Sequence, residues 1–333
     1  MTTGSAEAIA EAEAWFIRHG LPYFVESERQ VAQRGLSRSR LLPVIGIALV
    51  LGVAVGGVVG WLLGDATEGL GSALVTVGVV LGLYAATTLR LRSIAVWAIA
   101  RTFRSLGLLF PLVTRALPLL LLFVTFLFIN AEVWQVSASL DGGVLWLTVM
   151  LFASVAVGFL LVRLPEEVDR VDREMEGTRI LASCKGTPLE DLARGLVDGE
   201  DVLPLVVDET HVAGFQRANL ILVLLVSQIV QVFLLALSVL LFFLVFGVVA
   251  MQPEVIESWI GTEPRSVEWW RTLSLELVQV SVFLASFSGL YFTVYAVTDE
   301  TYREQFFTSL TRELERAVGV RAVYRVLKRQ DRA

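Results

Sequence analysis

Residues 220–250 read LILVLLVSQIVQVFLLALSVLLFFLVFGVVA, a run of 31 positions with no acidic or basic side chain. A stretch of this length and apolarity is a membrane span. As a helix it rises about 46 Å against roughly 30 Å of hydrocarbon, so it must tilt, protrude or break. The chain around it fits that reading. Of 333 residues 55% are hydrophobic, mean hydropathy is +0.69, and the 18% that are charged sit in blocks between apolar runs. Disordered, collagen-like and disulfide-scaffold chains are excluded by that composition.

Five more runs are long enough to cross a bilayer, at 41–63, 70–88, 117–136, 143–163 and 273–297. The expected fold is an all-α polytopic membrane protein with six transmembrane helices in three in-out-in hairpins, plus cytoplasmic amphipathic helices. Arg115 and Pro118 interrupt the start of the third run, which leaves open whether 105–115 is interfacial or part of that helix.

Charge placement predicts orientation. With the N-terminus inside, 25 of the 27 basic residues fall in inner segments, and only Arg265 and Arg271 fall outside. The outer connections carry Asp65, Glu68, Glu132, Asp141, Glu254, Glu257, Glu263 and Glu268. Trp61, Trp134, Trp146, Trp259, Trp269 and Trp270 cluster at the outer ends, as rings that favour the interface do. Both termini are therefore expected in the cytoplasm. Residues 1–40 have no apolar core, so no cleaved signal peptide is expected.

The organisation that follows has five parts. Residues 1–40 form a cytoplasmic segment, amphipathic over 5–18 with Ile9, Ala12, Trp15 and Phe16 on one face and ended by Gly20 and Pro22. There His19 reads as part of a helix end, with ligand binding the less economical alternative. Residues 41–163 hold helices 1–4 around a basic inner loop, 89–116, with five arginines and no acid. Residues 164–219 form an acidic helical insert, in which Thr187-Pro188-Leu189-Glu190 is a capping box that starts a helix over about 188–197. Docking of this insert on the basic 89–116 loop and a solvated loop beside headgroups are both open. Residues 220–297 hold helices 5 and 6 with an outer interfacial loop, 251–272. Residues 298–333 form a C-terminal amphipathic helix with Phe306, Leu310, Leu314 and Ala317 on one stripe and a break at Gly319.

Inside the membrane, Gly52, Gly56, Gly60 and Gly64 repeat every four residues, and Gly78 and Gly82 offer a matching pair on the next span. Small residues at that spacing let a neighbouring backbone approach closely, as do Ala285 and Gly289 on the last span. Gln228, Gln231 and Ser238 share one face of helix 5, while Glu276, Gln279 and Ser281 lie on helix 6. Gln228, Gln231, Glu276, Gln279 and Ser281 are the candidates to line a polar path between the two helices, and plain interhelical hydrogen bonding is the other account of them. No catalytic constellation, metal site or cofactor motif is present, so catalysis, metal and cofactor are not expected. Expected partners are the lipid bilayer, anionic headgroups at the inner leaflet, and a second copy or another membrane protein; nucleic acid is not among them.

The motif His19-Gly20-Leu21-Pro22-Tyr23-Phe24-Val25, together with Thr298-Asp299-Glu300-Thr301-Tyr302-Arg303 and Phe306-Phe307, resembles uncharacterised multi-pass membrane proteins of high-GC bacteria, and 25 Arg against 2 Lys suits such a source. The resemblance implies a bacterial inner membrane and carries no activity. Two functional readings remain from the residues: a channel or transporter for an ion or small solute, and a non-catalytic scaffold or accessory subunit that docks partners through its cytoplasmic helices.

Overall fold

The computed structural model describes residues 3–88, 91–104, 121–175, 177–197, 203–267, 270–298 and 300–332. The fold is an all-α polytopic membrane architecture. Five of its helices are long and apolar enough to cross a bilayer: α3 (Arg38–Leu63), α4 (Ala66–Thr88), α8 (Gly143–Glu174), α12 (Gly214–Ala250) and α14 (Leu275–Thr298). The expected sixth span is a broken one. Helices α6 (Leu121–Phe128) and α7 (Ala131–Ala138) meet at a 74° bend. Asn130 makes the corner, its Oδ1 accepting from the backbone N–H of Glu132 (2.8 Å) and Val133 (3.2 Å) to cap α7. Residues 105–115 lie outside the described residues.

The bundle core is α8, α12 and α14 packed together, with α7 against α14. Helix α12 presents Ser227, Gln231, Leu235, Val239, Phe243 and Gly247, every fourth residue, as a buried ridge. Gly247 makes room for α14: a Cβ there would run into the Leu277 side chain. Helix α12 resolves the length problem by protruding. It begins at Gly214, is unbroken for 37 residues, and so runs about 55 Å. Helix α8 likewise continues to Glu174, beyond the expected end at 163, so the first stretch of the acidic insert prolongs a span.

Helices α3 and α4 form a hairpin that packs chiefly on itself. Gly52 faces Ala73 and Val77, Gly56 faces Gly69 and Ala73, and Gly60 faces Gly69. The groove partners are thus Gly69, Ala73 and Val77. Gly78 and Gly82, which the sequence pairs with the groove, have nothing within 4 Å of a Cβ position, and Gly64 instead closes α3 in the left-handed conformation (φ +67°). Helices α7 and α8 each pack on α14.

A helical layer covers the end that carries both termini. Helix α15 (Glu300–Arg332) runs about 50 Å without interruption and packs on α1 (Thr3–Arg18), α9 (Gly177–Cys184), α10 (Glu190–Val197) and α11 (Leu203–Asp208). Gly319 is not a break. A Cβ there would lie 2.6 Å from that of Ser183, so this glycine lets α9 sit close against α15. The expected capping box is displaced: α10 starts at Glu190, whose Oε2 accepts from the Gly186 N–H (2.7 Å) one residue before Thr187, and the Thr187 hydroxyl accepts from Leu189 N–H (3.4 Å). The insert packs on α15, with Arg179 of the insert paired to Glu315 of α15 (3.7 Å) and Arg316 of α15 donating to the Lys185 carbonyl (2.9 Å). Helix α5 (Leu91–Arg104), in the basic 89–116 segment, also reaches α15, through Arg101–Glu313 (2.7 Å).

At the opposite end, α13 (Pro253–Ile260) and a short antiparallel ribbon, β1 (Ser266–Val267) with β2 (Trp270–Ser274), fill the expected outer loop. The ribbon delays the start of α14 to Leu275. Trp134 is fully buried, donating its Nε1–H to the Phe128 carbonyl (2.6 Å) beside Trp259.

Candidate functional site

The five candidate path residues are all buried, but at two levels. Gly289 of α14 faces Val232 and Ala236, whereas Leu277 faces Gly247. Gln228 and Gln231 therefore lie near the Gly289 end of the helix pair, and Glu276, Gln279 and Ser281 near the Gly247 end. Gln231 and Gly247 are sixteen residues apart, about 24 Å along α12. Between the levels lie Leu235, Val239 and Phe243 of α12 and Leu284 and Ala285 of α14. Ser288, also in this interval, donates to its own helix at Leu284 O (2.6 Å). Ser238 does not join Gln228 and Gln231; it is exposed and bonds back to Leu234 O.

The Glu276 level is a lock. Arg265 donates from Nε to Glu276 Oε1 (2.9 Å) and from Nη2 to Asp141 Oδ1 (2.9 Å), and Gln279 Nε2 donates to Asp141 Oδ1 (3.0 Å). The arrangement ties the α7–α8 turn, the ribbon and α14 to one guanidinium. Hydrogen bonding from Arg265, then from Gln279, holds the Asp141 carboxyl below the usual range. Both glutamate oxygens are used, since the Arg265 backbone N–H donates to Glu276 Oε2 (3.1 Å).

The Gln228 level is different. Ser227 Oγ, both polar atoms of Gln228 and Gln231 Oε1 find no protein partner, and further along so do Ser281 Oγ and Gln279 Oε1. Buried amides without partners cost on the order of 1–3 kcal/mol each. Beside this level α8, α12 and α14 leave an apolar cleft of about 370 Å³, lined by Phe152, Ala156, Phe233, Ala236, Ala285 and Gly289 among others.

The termini-bearing end holds polar residues that pattern alone did not single out. Asn219, fully buried one position before the long apolar run, accepts from the Tyr23 N–H (3.0 Å) and donates to the Gly20 carbonyl (2.9 Å). It reads the HGLPYFV hook by its backbone. Gly20 takes φ +72°, and a Cβ there would sit 3.2 Å from the Trp97 ring. His19 serves the helix end, its Nδ1 donating to Trp15 O (2.8 Å) with its ring stacked on Trp15, and burial pushes its pKa down.

Arg321 is 2% exposed, yet its hydrogen-bond partners are neutral: Nε donates to Gln216 Oε1 (2.8 Å) and Nη1 to the Glu209 carbonyl. Burial, then the charge of Arg325, lowers its pKa to about 10. The Glu209 carboxylate pairs instead with Arg325 (3.0 Å) and Arg329. A buried arginine in the middle of an apolar helix stripe is the only sequence signal for this centre. Cys184 is buried and its thiol is pushed up to about 12 by burial first and Glu190 second. Among the described residues no group of three or more His, Cys, Asp or Glu is placed to hold a metal ion.

The chain matches no family model, and neither a curated protein nor a solved structure shows significant similarity to it.

Proposed function

We propose that this chain is a non-catalytic scaffold of the bacterial cytoplasmic membrane, with both termini in the cytoplasm, that docks a protein partner on the helical layer built around α15. The observation that carries the reading is that layer: one 33-residue helix gathers α1, α9, α10 and α11 over the end of the spans. The layer holds exposed apolar side chains at Leu205 and Val207 of α11. In the bundle, by contrast, the polar residues fall into two groups separated by apolar packing, and one group is committed to the Arg265 lock. Photo-crosslinking from position 205 in living cells is expected to give a discrete heavier adduct. Only lipid adducts, or none, would overturn the docking reading.

A channel or transporter is the second reading, favoured by the polar atoms of Ser227, Gln228 and Gln231 that have no protein partner. Water or a passing solute would satisfy them at a depth where lipid does not. Proteoliposomes under Na⁺, K⁺, H⁺ and small-solute gradients separate the readings. The scaffold predicts leakage equal to that of protein-free vesicles, and sustained flux lowered by Gln228→Leu would establish transport instead.

A further inference from the structure

We infer that the pocket between α2 (Glu26–Gly35) and the last turns of α15 binds the phosphate group of an anionic ligand, either a lipid headgroup or a soluble phosphate ester. The pocket holds about 200 Å³, and Arg29, Arg325, Lys328 and Arg329 line it together with Phe24, Gln216, Tyr324 and one carboxylate, Glu26. Three of these cations sit at 325, 328 and 329, spacing that places them on one face of α15, where like charges repel. Arg29 reaches the same cavity from a different helix. Convergence of four cations from two elements on one small concavity is the arrangement that phosphate recognition requires.

The charges do not balance locally. Arg321, buried one turn before Arg325, adds a fifth cation behind the wall. The carboxylates that touch the group are three. Glu209 bridges Arg325 and Arg329, Glu13 accepts from Lys328 (3.0 Å) and from Tyr324 (2.5 Å), and Glu26 lies 3.7 Å from Lys328. Asp172, which Arg321 also feels and which hydrogen-bonds His211 (2.7 Å), is a fourth anion, so five cations leave one positive charge. Arg29 makes no ion pair among the described residues, so its five donors are unclaimed by carboxylate. A phosphate would supply the missing negative charge and enough oxygens for Arg29 and Arg329 to engage at once.

Size and depth narrow the ligand. The volume is below the roughly 300–1,000 Å³ of drug-sized sites, which suits a phosphate with a glycerol-sized attachment. Gln216 precedes the long apolar run at Leu220 by four residues, about 6 Å along α12, which is headgroup depth for this span. A soluble phosphate ester presents the same group from the aqueous side. The pocket does not depend on the scaffold reading, which would stand or fall on crosslinking and flux alone.

The test uses the full chain. In detergent, thermal unfolding is followed against inorganic phosphate and glycerol phosphate, with chloride at matched ionic strength. In nanodiscs it is compared between phosphatidylcholine alone and mixtures with phosphatidylglycerol. Saturable stabilisation by the soluble anions assigns the soluble source, and stabilisation only by phosphatidylglycerol assigns the headgroup. In either case Arg29→Gln, on the half-buried pocket wall, is expected to weaken the response by about tenfold or more, since hydrogen bonds to charged groups are the strong ones. Arg92→Gln, an exposed arginine on α5, controls for general charge and is expected to change nothing. No saturable response to any probe, or one equal in wild type and Arg29→Gln, overturns the inference.

Discussion

Asn219→Ala isolates the joint between the N-terminal hook and the bundle. The amide makes two buried hydrogen bonds, accepting from Tyr23 N–H at 3.0 Å and donating to Gly20 O at 2.9 Å. Truncation removes both and strands two backbone groups in a buried site. Each stranded group costs about 1–3 kcal/mol, so the pair sums to roughly 2–6 kcal/mol, with about 3 kcal/mol a sensible centre after partial relaxation. The hook is local and is expected to open before the bundle does. Tyr23 amide hydrogen exchange should therefore accelerate by about 150-fold, a factor of ten for each 1.4 kcal/mol, while thermal unfolding of the spans changes little. Trypsin should also cut more readily at Arg18. Asn219→Asp keeps the acceptor and loses the donor, and it should fall between the two. If Tyr23 exchanges at the wild-type rate in Asn219→Ala, then the side chain does not hold the hook, and the argument from paired backbone groups fails.

Further outcomes test other joints. Gly56→Leu puts a side chain where a Cβ already lies 2.5 Å from the Gly69 carbonyl oxygen and 2.7 Å from Ala73 Cβ, so it should lower the thermal midpoint in detergent by several degrees. Gly78→Leu, with open space around its Cβ position, should leave the midpoint within error. Gly319→Val clashes with Ser183 and should lift α9 from α15, so that Cys184, whose burial is expected to keep it from reacting with maleimide at neutral pH in the wild type, becomes labelled. The Asp141 carboxyl has a depressed pKa in the folded state, so its contribution is present above the ordinary carboxylate range and is lost as pH falls through the folded value. Stability should therefore drop below about pH 4, and Asp141→Asn should remove that component from the pH profile of thermal unfolding. Asp141 is largely exposed, so the effect is small and weakens with salt.

How much of this was legible beforehand varies by feature. The spans were legible because hydrocarbon imposes one requirement, length without charge, that composition reports directly. The amphipathic stripe of α1 was legible for a similar reason: Ala12, Trp15 and Phe16 repeat at helical spacing and are buried. The glycine groove was half legible. Spacing identifies which residues share a face of α3, but the partner face on α4 depends on the loop, and Gly69, Ala73 and Val77 meet it where Gly78 and Gly82 do not. Gly319 misled as a helix breaker because its reason is a neighbour, Ser183, 136 residues away in sequence.

The candidate polar path shows the limit most clearly. Periodicity groups the faces, and Gln228, Gln231, Glu276, Gln279 and Ser281 are all buried, although Ser238, grouped with the first two, is exposed. Height along the helix pair does not follow, because two antiparallel helices can slide in register without altering either sequence pattern. Only the packing of Leu277 on Gly247 and of Gly289 against Val232 fixes that register and parts the two groups of polar residues.

Composition and periodicity were enough to identify an all-α membrane protein, the segments apolar enough to cross, and the segments that carry the charge. Those are properties of single stretches of chain in contact with lipid or water. Tertiary packing is what makes α15 gather the acidic insert and α1, seats the N-terminal hook on Asn219, lets Arg265 lock Glu276 to Asp141, and brings Arg29 to Arg325 and Arg329 around one cavity. Each of these joins residues more than a hundred positions apart or on separate helices, and the free energy that selects them lies in close contact between surfaces that no local pattern encodes.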